Sequence, residues 1–425
     1  MKSPAARQGT LRELNLGLVL REVLGAAATH TTPPSRADVA AATGLTRATV
    51  SALVDRLVAG GLLAELDPVP TQRAGRPAVP LVPAGGTLVA IGAEVNVDYL
   101  AVRAVDLAGH VLAERVRHAD HRGSDPDDVL RVLGAVADEV LGEALATCAG
   151  TPAGTSAGTS AGTSSGTGAA TGDDEPPGPA PRVVGTAVAL PGLVGRTTGT
   201  LLLAPNLGWR EVDVVRVLAE SSRTFAEHRP TLANEADLAA LAESRVRRPE
   251  GLASFVLVSG EVGIGAAIVL DGRVFGGRHG WAGELGHTLV AGARQLEQVA
   301  GQDAMLRAAG LPRDEGVEPL VAALAADDAA AHAAVASAGE ALGVALANVL
   351  NTVDVPHVVL GGTYARLADH VSEPVLAALR AHVLAAPWAE PSVDVARAGD
   401  HAAVAGATHA VRDRVVADPT AWLTS

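Results

Sequence analysis

Between residues 36 and 63 the chain reads RADVAAATGLTRATVSALVDRLVAGGLL. Ala40 lies four residues before Gly44, and Val50 six after it. That spacing lets two short helices close on each other: the small side chain permits approach, the glycine accepts a left-handed turn, and the β-branched residue packs inward. Thr46 is placed to cap the second helix, with Arg47, Thr49 and Ser51 near its N-terminal end. In a helix-turn-helix this end enters the DNA major groove, where hydroxyls and a guanidinium meet base edges. Arg47 suits a base edge and a phosphate equally. Further on, Gln72 to Pro77 (QRAGRP) sets Arg73 and Arg76 on a narrow glycine-containing segment. Such a segment either enters a minor groove, where negative potential attracts Arg, or is a plain basic linker.

Positioning these residues requires three helices and a hairpin. Residues 11–25 carry Leu at helical spacing, and Thr31-Thr32-Pro33-Pro34 ends the run. Ser35 is an N-cap for a second helix to about Thr43; the third runs from Thr46 to about Ala59 and stops at Gly60-Gly61. Residues 62–66 and 78–82 pair as a short β-wing. The expectation is a winged helix-turn-helix DNA-binding domain over 1–83, the plainer alternative being a small helical bundle. Charge fits the former. The chain's net charge is -14, yet residues 1–82 hold nine Lys/Arg against six Asp/Glu, leaving the remainder at -17. A basic head on an acidic body suits a DNA-binding module joined to a sensor.

The body, 86–425, alternates strands with helices. Strand-like runs lie at 87–92, 99–107, 110–117, 183–190, 254–259, 264–270 and 357–360, and helix-like ones at 125–147, 235–247, 296–309 and 331–351. The class is α/β. Residues 150–181 are Gly-, Ser-, Thr- and Pro-rich, with AGTS three times within 153–164, and read as a disordered insertion. Aromatics are 2 % of the chain, so Val, Leu and Ala must fill the core. No uninterrupted apolar run reaches the roughly 18 residues of a membrane span, and no signal-peptide pattern opens the chain, so a cytoplasmic location without a membrane partner is expected. Cys148 is the single cysteine, which excludes an internal disulfide and any zinc site needing two thiolates.

Five motifs carry a resemblance: LPGLV at 190–194, APNLGWREVD at 204–213, NEADLAALAE at 234–243, GEVGIGAAIVLDGRVFGGRHGWAGELGHTLV at 260–290, and VVLGG at 358–362. With the head, they resemble the transcription-regulator branch of the ROK family (repressors, uncharacterised frames, kinases). The resemblance implies a two-lobed actin/hexokinase-like fold with a sugar site in the cleft. It assigns sugar contacts to Asn234, Glu235, Glu284, His287 and Glu297, with Gly192 and Asn206 lining the same pocket. Carboxylates, amides and an imidazole suit hydroxyls that both donate and accept. The plainer readings are a helix cap for Asn234 and Glu235, and a surface pair for Glu284 and His287.

Three departures from the family's kinases bear on function. The Asp-x-Gly-Gly-Thr phosphate loop is replaced by Glu94-Val95-Asn96-Val97-Asp98, with no glycine and with Asp98 where phosphates must sit. The catalytic base position is Glu235 rather than Asp. The Cys-rich zinc loop is replaced by 291–297 (AGARQLE), so no metal is expected, and the pose of Glu297 without it is an open point. The loop at 260–265 and Gly361-Gly362 keep their glycines, which the turns alone also require. The reading is a sugar-responsive regulator, a repressor of carbohydrate uptake or metabolism genes, and not an enzyme, with no cofactor. Its partners would be an inverted-repeat operator, a sugar or sugar phosphate effector, and a second copy of itself. The alternatives are an active ATP-dependent sugar kinase with an appended DNA-binding head, and a ligand-independent DNA-binding protein whose body only oligomerises.

Overall fold

The computed structural model describes residues 8–28, 31–68, 78–149, 180–195, 198–313 and 315–423. Arg73, Arg76 and all of the 150–181 insertion except Ala180 and Pro181 lie outside the described residues.

The chain opens with helices α1 (Gln8–Ala28), α2 (Arg36–Thr43) and α3 (Arg47–Ala59), then strands β1 (Leu63–Glu65) and β2 (Leu81–Pro83), paired antiparallel. Local chemistry sets the boundaries. Ser35 and Asp38 form a reciprocal capping box at the start of α2. Gly44 ends it in the left-handed region at φ 71°. Thr46 caps α3 by accepting from the Thr49 N–H. Arg36 then ties three elements together: its guanidinium pairs with Asp55 of α3 at 2.7 Å and Glu65 of β1 at 2.9 Å, and donates to the Ser51 carbonyl. Leu16, Val19, Leu20 and Val23 of α1 bury against Val39, Val50, Leu53 and Leu57. The second wing strand starts later than its sequence implies, at Leu81 rather than Ala78.

Two five-stranded sheets follow, each built the same way. In the first, β3 (Leu88–Val95), β4 (Tyr99–Asp106) and β5 (Val111–His118) form an antiparallel meander. Helix α4 (Pro126–Ala149) follows, and β6 (Arg182–Leu190) joins parallel to β3. A small antiparallel sheet comes next, β7 (Leu193–Gly195), β8 (Thr200–Ala204) and β9 (Trp209–Val212), with helices α5 (Val214–Ser221) and α6 (Arg223–Glu227). Strand β10 (Thr231–Asn234) completes the first sheet beside β6 and runs directly into α7 (Glu235–Arg247).

The second sheet repeats this. A meander of β11 (Phe255–Gly260), β12 (Ile264–Leu270) and β13 (Arg273–Val274) comes first. A hairpin follows, β14 (Leu289–Val290) with β15 (Arg294–Gln295), then α8 (Glu297–Ala300), α9 (Gln302–Ala309), α10 (Glu318–Ala325) and α11 (Ala329–Val353). Strand β16 (His357–Gly361) lies parallel to β11, then come α12 (Gly362–Arg366), α13 (Ala368–His382), β17 (Ser392–Val395) parallel to β16, and α14 (Ala402–Ala417). The helix expected at 296–309 is two, broken at Gly301, where a Cβ would stand 2.6 Å from the Glu297 carbonyl oxygen. Helix α11 is long and apolar enough, by length and composition, to cross a membrane, which uninterrupted apolar runs do not reveal because His332 and Glu340 punctuate it. Val335, Leu342, Leu346 and Leu350 on it are buried in the core of the second lobe.

The two faces of β3 show how the first lobe is layered. Val89, Ile91, Ala93 and Val95 pack with Leu130, Leu133 and Val140 of α4. The alternate residues Leu88 and Ala90 pack with Ala407, Val411 and Val415 of α14. That second cluster also contains Leu16, Leu20, Val54 and Leu57 of the head. Head and body therefore share one hydrophobic core.

Candidate functional site

A cleft of about 710 Å³ opens between the two sheets. Every described residue assigned to sugar contact lines it: Gly192, Asn206, Asn234, Glu235, Glu284, His287 and Glu297.

On the first-lobe side, β6 ends at a turn whose Gly192 has φ 85°, and a Cβ there would stand 2.1 Å from the Leu203 carbonyl oxygen. The Gly192 carbonyl accepts from the Asn234 amide at 2.9 Å. Asn234 Oδ1 accepts from the N–H groups of Ala236 and Asp237, capping α7. The helix-cap reading of Asn234 thus holds structurally, and the cap also fixes its place on the cleft wall. Glu235 follows as the first residue of α7, at the base of the cleft. Burial, then the carboxylates of Glu261, Glu94 and Glu284, raise its pKa well above the usual range.

On the second-lobe side, Glu284 precedes and His287 ends a 3-10 turn over Leu285–His287. Desolvation raises the pKa of Glu284, and His287 partly opposes it. Glu297 keeps its place without thiolates. The β14–β15 hairpin pairs Leu289 with Gln295 and Val290 with Arg294, and the Leu296 N–H donates to the Thr288 carbonyl at 2.9 Å. The Glu297 Oε2 atom then accepts the Ile264 N–H at 3.1 Å. Asn206 approaches from the first lobe, and Gly263 sits between them: a Cβ at 263 would stand 2.5 Å from Asn206 Nδ2 and 2.7 Å from Glu297 Oε2. The donor set does not fit a structural zinc, since 291–297 supplies no thiolate, and among the described residues no three His, Cys, Asp or Glu gather as metal ligands.

Three cleft residues escape the sequence reading. Glu94 on β3 is 2 % exposed; it accepts from the Tyr99 hydroxyl at 2.8 Å and from the Val404 N–H at the start of α14 at 3.0 Å. Burial, aided by the Glu261 carboxylate, raises its pKa to about 7. Asn96 donates to Glu261 Oε2 at 2.5 Å, joining the two lobes. The sequence marks 94–98 as an altered phosphate loop but points to Asp98 as the obstructive charge. Asp98 is instead paired with Arg122 at 3.2 Å, and the desolvated carboxylates at this end are the buried Glu94 and the half-buried Glu261. At the opposite edge the lobes touch again, where the Trp281 indole N–H donates to the Val194 carbonyl at 3.1 Å.

Of the DNA-contact candidates, Thr46 and Arg47 are exposed at the start of α3, while Thr49 and Ser51 are half-buried. Thr49 is hydrogen-bonded to Thr46, and the Ser51 carbonyl receives Arg36.

Residues 174–414 match the ROK family. The xylose repressor of Caldicellulosiruptor bescii is 23 % identical over 420 residues, covering 93 % of this chain and 94 % of that protein. A glucokinase of Halalkalibacterium halodurans is 28 % identical over 251 residues, covering 53 % of this chain and 74 % of that one. Among solved structures, a ROK family transcriptional regulator described as a homologue of the E. coli MLC protein superposes with a TM-score of 0.71 at 24 % identity, over 96 % of this chain and 97 % of that one. The matched segment covers more than half of the sequence, and it contains every position assigned to sugar contact: the chain belongs to the ROK family.

Proposed function

We propose that this chain is a sugar-responsive DNA-binding transcriptional repressor. Residues 1–83 act as the operator-binding domain, and 86–425 as the effector domain. The observation that carries the reading is the course of α14. Its first residues line the cleft, and the Val404 N–H bonds Glu94. Sixteen residues later, about 24 Å at 1.5 Å per residue, its end packs on the head. There Gly17 of α1 approaches Val416 so closely that a Cβ would stand 2.9 Å from its carbonyl oxygen. Arg182 donates at 3.0 Å to the carbonyls of both Gly60, at the end of α3, and Trp422, just past α14. Near its cleft end, a Cβ on Gly92 of β3 would meet the Val404 carbonyl oxygen at 2.5 Å, and one on Gly406 would meet the Leu238 carbonyl oxygen of α7 at 1.8 Å. A rod gripped this tightly cannot shift at the cleft without shifting at the head, because packed cores are bistable rather than compliant.

Sugar bound between Glu235, Glu284, His287 and Glu297 would favour one arrangement of the lobes. The rod would pass that preference to the recognition helix. A coupling of about 1–3 kcal/mol changes operator affinity roughly 5- to 150-fold. Paired heads of a homo-oligomer would read an inverted repeat. Xylose is the first effector to try, since relatives of similar length are xylose repressors. The desolvated carboxylates Glu94 and Glu261 at the phosphate end argue that the cleft senses sugar rather than phosphorylating it. The test is fluorescence anisotropy of the full chain on its own upstream DNA, with and without a sugar panel at fixed salt, alongside a coupled ADP-release assay. A sugar that binds without changing DNA affinity overturns the regulatory reading, and turnover with ATP restores the kinase reading.

A further inference from the structure

We propose that the cleft selects unphosphorylated sugars and excludes sugar phosphates, with Glu261 as the residue that sets the selection. This rests on the reading of the cleft as the effector site.

A phosphate dianion is an acceptor only, so its site must supply cations or free N–H groups. Among the described residues lining the cleft, Arg366 is the single Lys or Arg, and Glu318 pairs with it at 2.5 Å. The glycine-containing turn at 260–265 is the natural backbone cradle, but two of its donors are committed. The Glu261 N–H donates to the Gly263 carbonyl at 2.9 Å, and the Ile264 N–H donates to Glu297. The turn also carries a carboxylate of its own. Glu261 is held facing the cleft by a relay: the Asp98 N–H donates to Asn96 Oδ1 at 3.0 Å, which fixes the amide so that its Nδ2 faces Glu261. Glu94 and Glu235 add two further carboxylates; Glu261 raises the proton affinity of both, and Glu94 that of Glu235. Burial raises the proton affinity of Glu261, and once ionised it presents a phosphate entering this end with like charge on a side chain held by Asn96. A hydroxyl meets acceptors it can donate to.

The measurement is isothermal titration of the full chain with matched pairs: glucose and glucose 6-phosphate, mannose and mannose 6-phosphate, N-acetylglucosamine and its 6-phosphate, with xylose alongside. Operator anisotropy is recorded on the same samples. The expected result is that the neutral member of the responsive pair binds at least about 100-fold more tightly. Glu261→Gln keeps an oxygen for Asn96 and removes the charge, so it should narrow that gap at least tenfold, through a gain for the phosphorylated member. A sugar phosphate that binds as well as its parent overturns the selection while leaving the effector reading intact. A gap that Glu261→Gln does not move overturns the assignment to Glu261. Absence of both binding and any change in operator affinity for every sugar, xylose included, refutes the effector reading and the selection with it.

Discussion

Glu94→Gln should make the protein more stable at pH 8 and leave it nearly unchanged at pH 4.5. The Glu94 carboxyl has two hydrogen-bond partners, Tyr99 and Val404, yet burial and the Glu261 carboxylate outweigh them and raise its pKa from the ordinary 4.5 to about 7. In the unfolded chain the group ionises near 4.5. In the folded protein it holds its proton until about 7. Below 4.5 both states are protonated and the group costs nothing. Between those values folding takes up a proton, so stability falls as pH rises, and above 7 the full cost is present. The difference of about 2.5 pH units at 1.36 kcal/mol each is about 3 kcal/mol. Glutamine has the same shape and no charge. Its oxygen can accept the Val404 N–H while its amide donates to the Tyr99 oxygen. Thermal unfolding of both proteins from pH 4.5 to 8 gives the difference curve directly. It should be flat near pH 4.5, climb through pH 5–7 and level off, with the variant several degrees higher at pH 8. A difference that is flat throughout, or a variant less stable than the parent at pH 8, would show that Glu94 is comfortably ionised and refute the electrostatic account of this end of the cleft.

Gly17→Ala places a methyl group against Val416 at the far end of α14. It should leave sugar affinity within about twofold but reduce the sugar's effect on operator binding; titration and anisotropy on one preparation separate the two, and an unchanged response would exclude this seam as the route. Gly406→Ala is harsher, since no rotamer relieves a contact of 1.8 Å with the Leu238 backbone. Overpacking of this kind costs about 1–3 kcal/mol or more, read as a lower thermal midpoint. Arg47→Ala should leave the midpoint unchanged, because the side chain is exposed at the start of α3, and weaken operator binding roughly 10- to 100-fold. A salt series then tells whether a phosphate contact was lost, by a slope smaller by about one, or a base contact, by relaxed sequence preference.

The amino-acid sequence by itself determined the local features. Ser35, Gly44 and Thr46 are caps and turn formers whose roles depend on a few neighbouring residues, so the helix-turn-helix is legible to within a residue or two. The long strands of both meanders are equally legible from the sequence, whereas the two-residue β13 is not. The motif residues Asn234, Glu235, Glu284, His287 and Glu297 could be named, though not their geometry. Tertiary structure decided the rest. Helix α14 has no polar face for most of its first half: Ala403 through Thr408 are buried in succession, between β3 and α7, so the 3.6-residue stripe that reveals a surface helix is absent. Glu94 and Glu261 are 167 positions apart, and their shared cleft exists only once the lobes close. The pose of Glu297 depends on a hairpin too short to declare itself by pattern. Caps and periodicity are written in neighbouring residues, whereas the charge in the cleft and the rod that links it to the head arise from contacts between segments that only folding brings together.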